Sequence, residues 1–323
     1  MSFDLMAGQR VLVTGGTGMI GRQLVGLLLE AGAHVTTVSL EEGSAMHLRG
    51  DLRDMALCRQ VVKDQDYVFH LAGLKGSFQD TATRPVDYLV PMLQMDSNIL
   101  LACHEARVPF VVYTSSIGAY SQSPLRLTPL LSWNDAPMDQ WPGWAKRMGE
   151  LQIHAYRSQY TAHCWRAVRL ANVYGPGVTL SESGMVVGAL LWKALHTSGT
   201  VEVIGDGSPV RDFIYSRDAA EGILRVAAHD SRNGQLEDDS ITGPPGVVNI
   251  GSGEGIPIRQ LVKVLQEVTG REFMFKPGPQ GYAMRVLDTE RTRMCLKWAP
   301  STSLKEGLEA TWDWAQTQKE DSR

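Results

Sequence analysis

Short apolar runs alternate with amphipathic stretches over the first half of the chain. Between the first two runs, Leu24, Leu27 and Leu28 recur at helical spacing, which predicts a helix with one buried face. Regular alternation of strand and helix is typical of a parallel sheet covered on both faces, so the pattern predicts an α/β fold with a doubly wound sheet. The runs predicted as buried strands are 10–14, 34–40, 67–71, 110–114 and 167–170.

The alternation fades after Val173, where loops rich in glycine and proline begin, at 175–177, 205–209 and 243–246. Glycine and proline favour turns over helices and strands, so the change indicates a boundary between two units. We therefore predict a first domain over residues 1–173 and a smaller lobe over 174–323, with elements of the second half able to cross back into the first.

The overall composition excludes several classes of protein. Hydrophobic residues make up 43% of the 323 positions and charged residues 20%, which argues against a disordered chain. The net charge of −4 gives no electrostatic reason to expect binding to nucleic acid or to an anionic membrane. The longest apolar runs, such as 25–29, are far shorter than the roughly 20 residues that span a membrane.

The cysteines and histidines lack the spacings that hold a disulfide framework or a metal. The four cysteines form no C-x-x-C pair and follow no early signal segment, so we expect reduced thiols in the cytoplasm. The eight histidines form no H-x-x-x-H motif, and no metal site is predicted. The cysteines are Cys58, Cys103, Cys164 and Cys295.

A glycine-rich turn follows the first predicted strand. Gly15, Gly18 and Gly21 form G-x-x-G-x-x-G between that strand and the first helix. Glycine lets a pyrophosphate approach the backbone closely, and the helix N-terminus presents free N–H groups to the anion. The turn therefore predicts a dinucleotide site, in which Met19 and Ile20 pack against the adenosine side.

The end of the second predicted strand bears on the choice of cofactor. An acidic residue there would bind the ribose hydroxyls and favour NAD, but the position is Ser39. No arginine or lysine stands beside it in the sequence to hold a 2′-phosphate, whereas Glu41 and Glu42 follow. We expect NAD as cofactor and leave NADP open.

Ordered motifs along nearly the whole chain resemble one enzyme family. The chain is similar to the extended short-chain dehydrogenase/reductases, in their NAD-dependent sugar-nucleotide epimerase/dehydratase branch, which includes UDP-galactose 4-epimerase. The resemblance implies a Rossmann sheet, a nucleotide-sugar substrate held by a C-terminal lobe, and a homodimer built on helices such as that predicted over 145–160. The motifs are TGGTGMIG (14–21), GDLRD (50–54), HLAGLKG (70–76), YTSSIGAY (113–120), GWAKRMGE (143–150), RLANVYGPG (169–177) and GDGSPVRDFIY (205–215).

The resemblance also implies roles for individual residues outside the glycine turn. One group would contact the cofactor: an adenine-binding pair, a loop under the cofactor, and a threonine. A second group would bind the substrate diphosphate, for which the planar fork of arginine is well suited. The cofactor residues are Asp51 and Leu52, then Leu71, Ala72 and Gly73, with Thr114 and Lys146; the substrate residues are Lys75, Asn172, Arg211 and Arg285.

The expected catalytic set is incomplete. Enzymes of this family oxidise a sugar carbinol, usually at C4, with a tyrosine base whose pKa is lowered by a lysine in a Y-x-x-x-K motif. Ser116 matches the serine that positions the sugar hydroxyl, and Lys146 matches the lysine. Pro142 occupies the tyrosine position after Trp141, and neither side chain accepts a proton.

Three explanations of this gap stay open. In the first, another group transfers the proton, such as Lys146, Tyr120, Tyr174 or the substrate phosphate through water. In the second, the reaction needs only a weak base, as in reduction of a keto sugar. In the third, the site is degenerate. The acid pair of the 4,6-dehydratases is replaced by Ile117 and Gly118, which disfavours that reaction in its usual form. The main hypothesis is an epimerase or dehydrogenase acting at C4. The alternatives are a non-standard dehydratase or keto-sugar reductase, and a protein that only binds cofactor and sugar nucleotide.

Overall fold

A seven-stranded parallel sheet forms the centre of the molecule, as predicted from the alternating pattern. The computed structural model describes residues 3–43, 46–76, 78–123, 126–129, 135–160, 164–233 and 246–320. The strands in this sheet are β1 (Arg10–Thr14), β2 (His34–Ser39), β3 (His47–Arg49), β4 (Tyr67–His70), β5 (Phe110–Ser116), β6 (Cys164–Leu170) and, further along the chain, β11 (Val247–Ile250).

The strand order places a crevice at the carboxyl end of β1. The order across the sheet is β11-β6-β5-β4-β1-β2-β3, so the chain winds outward in both directions from the β1–β4 pair. In open α/β sheets, ligands bind outside the carboxyl ends of the strands where the winding direction changes. The glycine turn after β1 and the loop after β4 both lie at this point.

Helices cover both faces of this sheet and enclose separate hydrophobic cores. One face packs against α1 (Met19–Glu30) and α7 (Ser216–Asn233), where Leu24, Leu28 and Ile223 are fully buried. The helices on the opposite face are α2 (Met55–Val61), α3 (Phe78–Thr83), α4 (Pro85–Glu105) and α5 (Gln140–Gln159).

Three elements of the second half, β11, α7 and α9 (Glu290–Leu296), pack into the first half. β11 pairs with β6 in parallel, α7 packs against α1, and α9 packs against α7 and β11 with Leu296 in the core of the central sheet. The C-terminal lobe has its own core, in which Leu191, Leu265 and Leu308 are fully buried. The other elements of the second half are β7 (Asn172–Tyr174), α6 (Val186–His196), β8 (Val201–Ile204), β9 (Val210–Arg211), β10 (Phe213–Tyr215), β12 (Ile256–Pro257), α8 (Ile258–Thr269), β13 (Phe273–Lys276), β14 (Met284–Arg285) and α10 (Leu304–Glu320).

Within the described ranges, none of the helices has both the length and the apolar character needed to cross a membrane.

Candidate active site

The glycine turn is built around close backbone approaches. Gly15 has φ +70°, and a Cβ at this position would lie 2.9 Å from the backbone nitrogen of Ala72. A Cβ at Gly21 would overlap the carbonyl oxygen of Gly15. Helix α1 begins after Gly18 with no side-chain cap on its first amide groups. These features fit the pyrophosphate of a dinucleotide, because the turn is narrow and the helix N-terminus is electrically positive.

The adenosine end of the predicted site holds an arginine that the sequence reasoning missed. Ser39 is buried at the end of β2, and its Oγ accepts a hydrogen bond of 3.4 Å from the Thr17 amide. Thr17 in turn donates to Glu41, at 3.0 Å from Oγ1 to Oε2. Arg49 lies directly opposite Ser39 on β3 and donates to the Leu40 carbonyl at 3.1 Å. Only the sheet register brings this arginine beside Ser39.

Asp51 and Leu52, the predicted adenine pair, form a tightly bonded loop. Hydrogen bonds from Arg53 lower the pKa of Asp51. Leu52 is buried, and its carbonyl accepts from Cys58 Sγ at 3.1 Å and from Asn98 Nδ2 at 3.1 Å. The loop is therefore held in one conformation by its own contacts.

The loop after β4 connects the glycine turn to the predicted catalytic lysine. Thr14 accepts hydrogen bonds from two amides of this loop. The Leu71 amide donates to the Thr14 carbonyl and the Ala72 amide donates to Oγ1 of Thr14, each at 3.1 Å. A Cβ on Gly73 would lie 3.5 Å from Nζ of Lys146. Thus the predicted cofactor residues of the turn, the loop and α5 lie together at one edge of the sheet.

Lys146 has a distinctive electrostatic environment. Its Nζ lies 4.7 Å from the centre of the Tyr113 ring, a cation–π contact. Burial lowers the pKa of Lys146, and the negative charges of Asp96 and Glu150 oppose that shift. Desolvation of its ammonium, and then the positive charge of Lys146, lower the pKa of Lys75.

A buried polar network lies beneath this lysine. His70 contacts Thr14 through Nδ1 at 2.7 Å and Asp96 through Nε2 at 2.9 Å, and Tyr113 donates to the second oxygen of Asp96 at 2.7 Å. Burial opposes ionisation of Asp96, but the charge of Lys146 and the bonds from His70 and Tyr113 lower its pKa overall. The network thus places a negative charge in the core below Lys146. The predicted cofactor residue Thr114 borders it, donating from Oγ1 to the His70 carbonyl at 2.9 Å.

Ser116 ends β5 at the corner where the missing base would act. Its Oγ accepts the amide of Gly118 at 3.1 Å, which leaves its own proton available to a ligand. Pro142 and Trp141 lie in the first turn of α5, one turn before Lys146. The position predicted for the tyrosine thus lies on the same helix as Lys146, and the proline there has no acid–base chemistry.

Two phenols considered as replacement bases are fully engaged in the core. Tyr120 is completely buried and donates to Oδ1 of Asn249 at 2.7 Å. Tyr174 donates to the Leu304 carbonyl at 3.4 Å. Burial raises the pKa of Tyr120 and Tyr174, which is the wrong direction for a base at neutral pH.

The four cysteines are free thiols. Cys58 and Cys103 are buried, whereas Cys164 and Cys295 are partly exposed. Burial raises the pKa of Cys58 to about 12, so this thiol stays protonated at neutral pH.

Three of the four predicted substrate residues, Asn172, Arg211 and Arg285, lie on neighbouring strands of the second half, whereas Lys75 lies near Lys146. Arg211 donates to the Tyr282 carbonyl at 2.8 Å, and burial followed by the charge of Arg285 lowers its pKa to about 10. Arg285 pairs with Asp139 at 2.9 Å from Nη1 to Oδ1, while its buried Nε has no acceptor in the described part of the chain. Asn172 uses its Nδ2 on the Asp212 carbonyl at 2.8 Å. An unsatisfied guanidinium N–H beside a second arginine suits an anionic ligand.

The crevice at the β1–β4 pair, the glycine turn and Lys146 beside the cofactor loop define a dinucleotide-binding protein of the doubly wound α/β class. Residues 11–251 match the NAD dependent epimerase/dehydratase family, and the chain belongs to that family. The predicted family is therefore confirmed, and with it NAD as the cofactor class.

Three relatives illustrate the range of the family. GDP-L-fucose synthase 1 of Arabidopsis thaliana is 29% identical over 322 residues, covering 94% of this chain and 92% of that protein. A dTDP-4-dehydro-6-deoxy-D-allose reductase of a Streptomyces species is 29% identical, covering 99% of this chain and 100% of that protein. UDP-glucose 4-epimerase of Thermus thermophilus, solved with NAD, has a TM-score of 0.77 at 26% identity, covering 95% of this chain and 99% of that one.

Proposed function

We propose that this chain is an NAD(P)-dependent sugar-nucleotide epimerase or dehydrogenase that acts by oxidising the sugar at C4. The observation on which the proposal depends is the position of Lys146, whose ammonium lies beside Gly73 of the cofactor loop, one helix turn after the position that lacks the tyrosine. A lysine at this point can hold the cofactor and favour negative charge on a reacting oxygen.

Each group of residues has a separate task in this proposal. Gly15 and the N-terminus of α1 bind the pyrophosphate, and Ser116 donates to the sugar hydroxyl or carbonyl oxygen. Arg211 and Arg285 bind the diphosphate of the substrate with bidentate geometry. Bound NAD(P) would exchange the hydride with the sugar carbon. The protein contributes orientation, charge and proton transfer.

Net reduction of a keto sugar is the second candidate, and two relatives support it. A dTDP-4-dehydro-6-deoxy-D-allose reductase and a GDP-L-fucose synthase are among the proteins this chain is similar to. Reduction at C4 uses the same arrangement as oxidation run in the opposite direction. An epimerase regenerates its cofactor within each cycle and a dehydrogenase releases it reduced, whereas a keto-sugar reductase releases it oxidised.

A substrate panel tests the proposal. Purified protein is incubated with UDP-, GDP-, dTDP- and CDP-sugars and their 4-keto forms, with NAD⁺, NADH or NADPH, while reduced nicotinamide absorbance and product masses are followed. We expect turnover of at least one substrate, lost in Lys146→Ala and retained in Lys63→Ala, which changes an exposed lysine outside the proposed site. A fully active Lys146→Ala variant would contradict the assignment.

We further propose that the enzyme is a cytoplasmic homodimer. The four free cysteines are consistent with a reducing compartment. Val90 and Leu101 on α4 and Leu151 on α5 are exposed, although α4 and α5 pack together. Exposed apolar side chains on a helix pair favour contact with a second copy. Sedimentation should show a dimer that Leu101→Glu with Leu151→Glu converts to monomer; an unchanged wild-type monomer would refute this assembly.

A further inference from the structure

A carboxylate fills the space above Gly118, next to the serine of the proposed site. Gly118 follows Ser116 and Ile117 at the end of β5, and its amide donates a hydrogen bond to Oγ of Ser116 at 3.1 Å. A Cβ added to Gly118 would overlap Oδ2 of Asp139. The side-chain volume of position 118 is therefore occupied by an acidic group that comes from another segment.

Asp139 is held in this position by the backbone, independently of its carboxylate. Its amide donates to the Gly118 carbonyl at 3.1 Å. It precedes α5 as the N-cap residue, yet its side chain makes no capping hydrogen bond to the helix. An N-cap aspartate ordinarily uses its carboxylate to satisfy the free amides of the first turn. Here the carboxylate is turned away from that role and toward Gly118.

The surroundings keep one oxygen of this carboxylate available. Oδ1 of Asp139 contacts Nη1 of Arg285 at 2.9 Å, and the side chain retains 38% of its exposure. Oδ2 is the atom above Gly118. An aspartate carboxylate has acceptor sites on both oxygens, so the oxygen that does not face the guanidinium is able to accept a proton.

Resting on the proposed function, we propose that Asp139 is the catalytic acid–base group that takes the place of the missing tyrosine. It would exchange the proton of the sugar hydroxyl that Ser116 holds. Two observations support this role: the carboxylate lies against Gly118, whose amide bonds to Ser116, and it makes no capping hydrogen bond to the helix.

In the proposed step the sugar loses a hydride and a proton to two different acceptors. When the sugar C–H bond breaks, its hydride passes to oxidised nicotinamide, the C–O bond becomes C=O, and the hydroxyl proton passes to Oδ2 of Asp139, which becomes a carboxylic acid. The reverse step returns the proton as the carbonyl is reduced. No water is consumed and no further oxidant is needed.

A purely structural role for Asp139, as the ion-pair partner of Arg285, predicts different kinetics. Loss of that pair would alter diphosphate binding and hence KM, whereas loss of an acid–base group lowers kcat and removes one limb of its pH profile. With the sugar nucleotide that the panel identifies, Asp139→Asn should lower kcat by about 100-fold or more. Affinities for NAD⁺ and UDP, measured by calorimetry, should change only a few-fold.

Relocating the carboxylate separates the two roles further. In Asp139→Gly the space above Gly118 is vacated, because the Cβ of residue 139, which would lie 2.7 Å from a Cβ added at position 118, is removed together with the carboxylate. Gly118 has no left-handed φ that would oppose a side chain. We expect the double variant Asp139→Gly/Gly118→Asp to recover activity at least about 10-fold over Asp139→Gly, because a carboxylate returns to the volume that Asp139 occupied. Asp139→Gly/Gly118→Asn is the matched control and should not recover.

The outcomes are distinguishable from failure of the proposed function. A wild-type chain that binds NAD⁺ and UDP but turns over no sugar nucleotide would overturn both the function and the role of Asp139. An active wild type with Asp139→Asn retaining its kcat and both limbs of the pH profile would overturn the role of Asp139 alone. Recovery by the asparagine control would also overturn it, since only the aspartate accepts a proton. Should the double variants not fold, as judged by thermal unfolding, the kcat and pH profile of Asp139→Asn decide the matter.

Discussion

The glycine turn and the corner around Ser116 lie at the same edge of the sheet but are built in different ways. The turn uses backbone: Gly15 at φ +70° and the uncapped start of α1, all within one short segment. The corner around Ser116 uses side chains from distant segments, with Asp139 above Gly118 and Arg285 beyond it. A site made of backbone depends on conformations that a single segment specifies. A site made of side chains depends on packing between segments.

This difference implies different tolerance to substitution. A Cβ at Gly15 or Gly21 would disturb the turn, because it would meet the backbone of Ala72 or of Gly15. Under the role proposed for Asp139, the corner instead accepts an acidic group from another segment in place of the family tyrosine.

The largest effect is expected from blocking the turn. Gly15→Val should lower NAD⁺ affinity on the order of 100-fold, because a side chain at φ +70° is strained and meets Ala72. Calorimetric titration with NAD⁺ measures this. Gly26→Ala on α1, where an added Cβ meets nothing within 4 Å, is the control and should leave the affinity unchanged. Equal affinity in both variants would show that the turn does not hold the cofactor.

The buried network of His70, Asp96 and Tyr113 below Lys146 should show the next largest effect, in the stability of the protein. Asp96→Asn should lower the free energy of unfolding by about 3 kcal/mol near neutral pH, because it removes the charge that partners His70 and Lys146 in the core. Urea unfolding measures the loss. Asp87→Asn is the control on the same helix. It breaks an exposed pair with Arg84 and should lower the free energy of unfolding by well under about 1 kcal/mol.

The stabilisation by ionised Asp96 depends on pH. The pKa of Asp96 in the folded protein lies below its ordinary value of 3.8, so its stabilisation is complete above that value and is lost as the pH falls through the folded pKa. The difference between wild type and Asp96→Asn should shrink on acidification below 3.8. A difference that grows on acidification would contradict the network.

Substitution of Arg285, on the substrate side of the corner, should change the affinity for the nucleotide diphosphate. Arg285→Met should weaken UDP binding by about 10- to 100-fold, because a charged hydrogen-bond donor to the diphosphate is lost, while NAD⁺ binding is unchanged. Calorimetry with each ligand separates the two regions. Arg291→Met, an exposed arginine at the start of α9, is the control. A parallel loss of NAD⁺ affinity would mean that the turn and the corner are not independent.

The smallest effect is expected at the adenosine end. Arg49→Ala should weaken NADPH binding about 5-fold and leave NADH unaffected, because an exposed arginine beside Ser39 would contact only a 2′-phosphate. Fluorescence titration with both cofactors measures the ratio. Arg10→Ala, at the opposite end of β1, should leave the ratio unchanged. Equal loss of both cofactors in Arg49→Ala would exclude a role in discrimination.

Much of the fold was predictable because its signals are local. The strand predicted over 10–14 coincides with β1, and those predicted over 34–40 and 67–71 differ from β2 and β4 by one residue at the end. Apolar runs and glycine turns depend on neighbouring residues, so sequence alone identifies them. β3 was missed because it has only three residues and lies at the edge of the sheet. The entry of β11 into the central sheet follows from long-range pairing with β6.

The sequence by itself determined the family, the glycine turn after β1, and the placing of Ser116, Pro142 and Lys146 in the predicted catalytic motif. Only the tertiary structure brought Asp139 over Gly118, Arg49 beside Ser39, and Asp96 beneath Lys146. It also enclosed Tyr120 and Tyr174 in the core. The physical reason is that φ/ψ preferences and helical spacing act over a few residues, whereas the distance between side chains of separate segments is decided by sheet register and close packing.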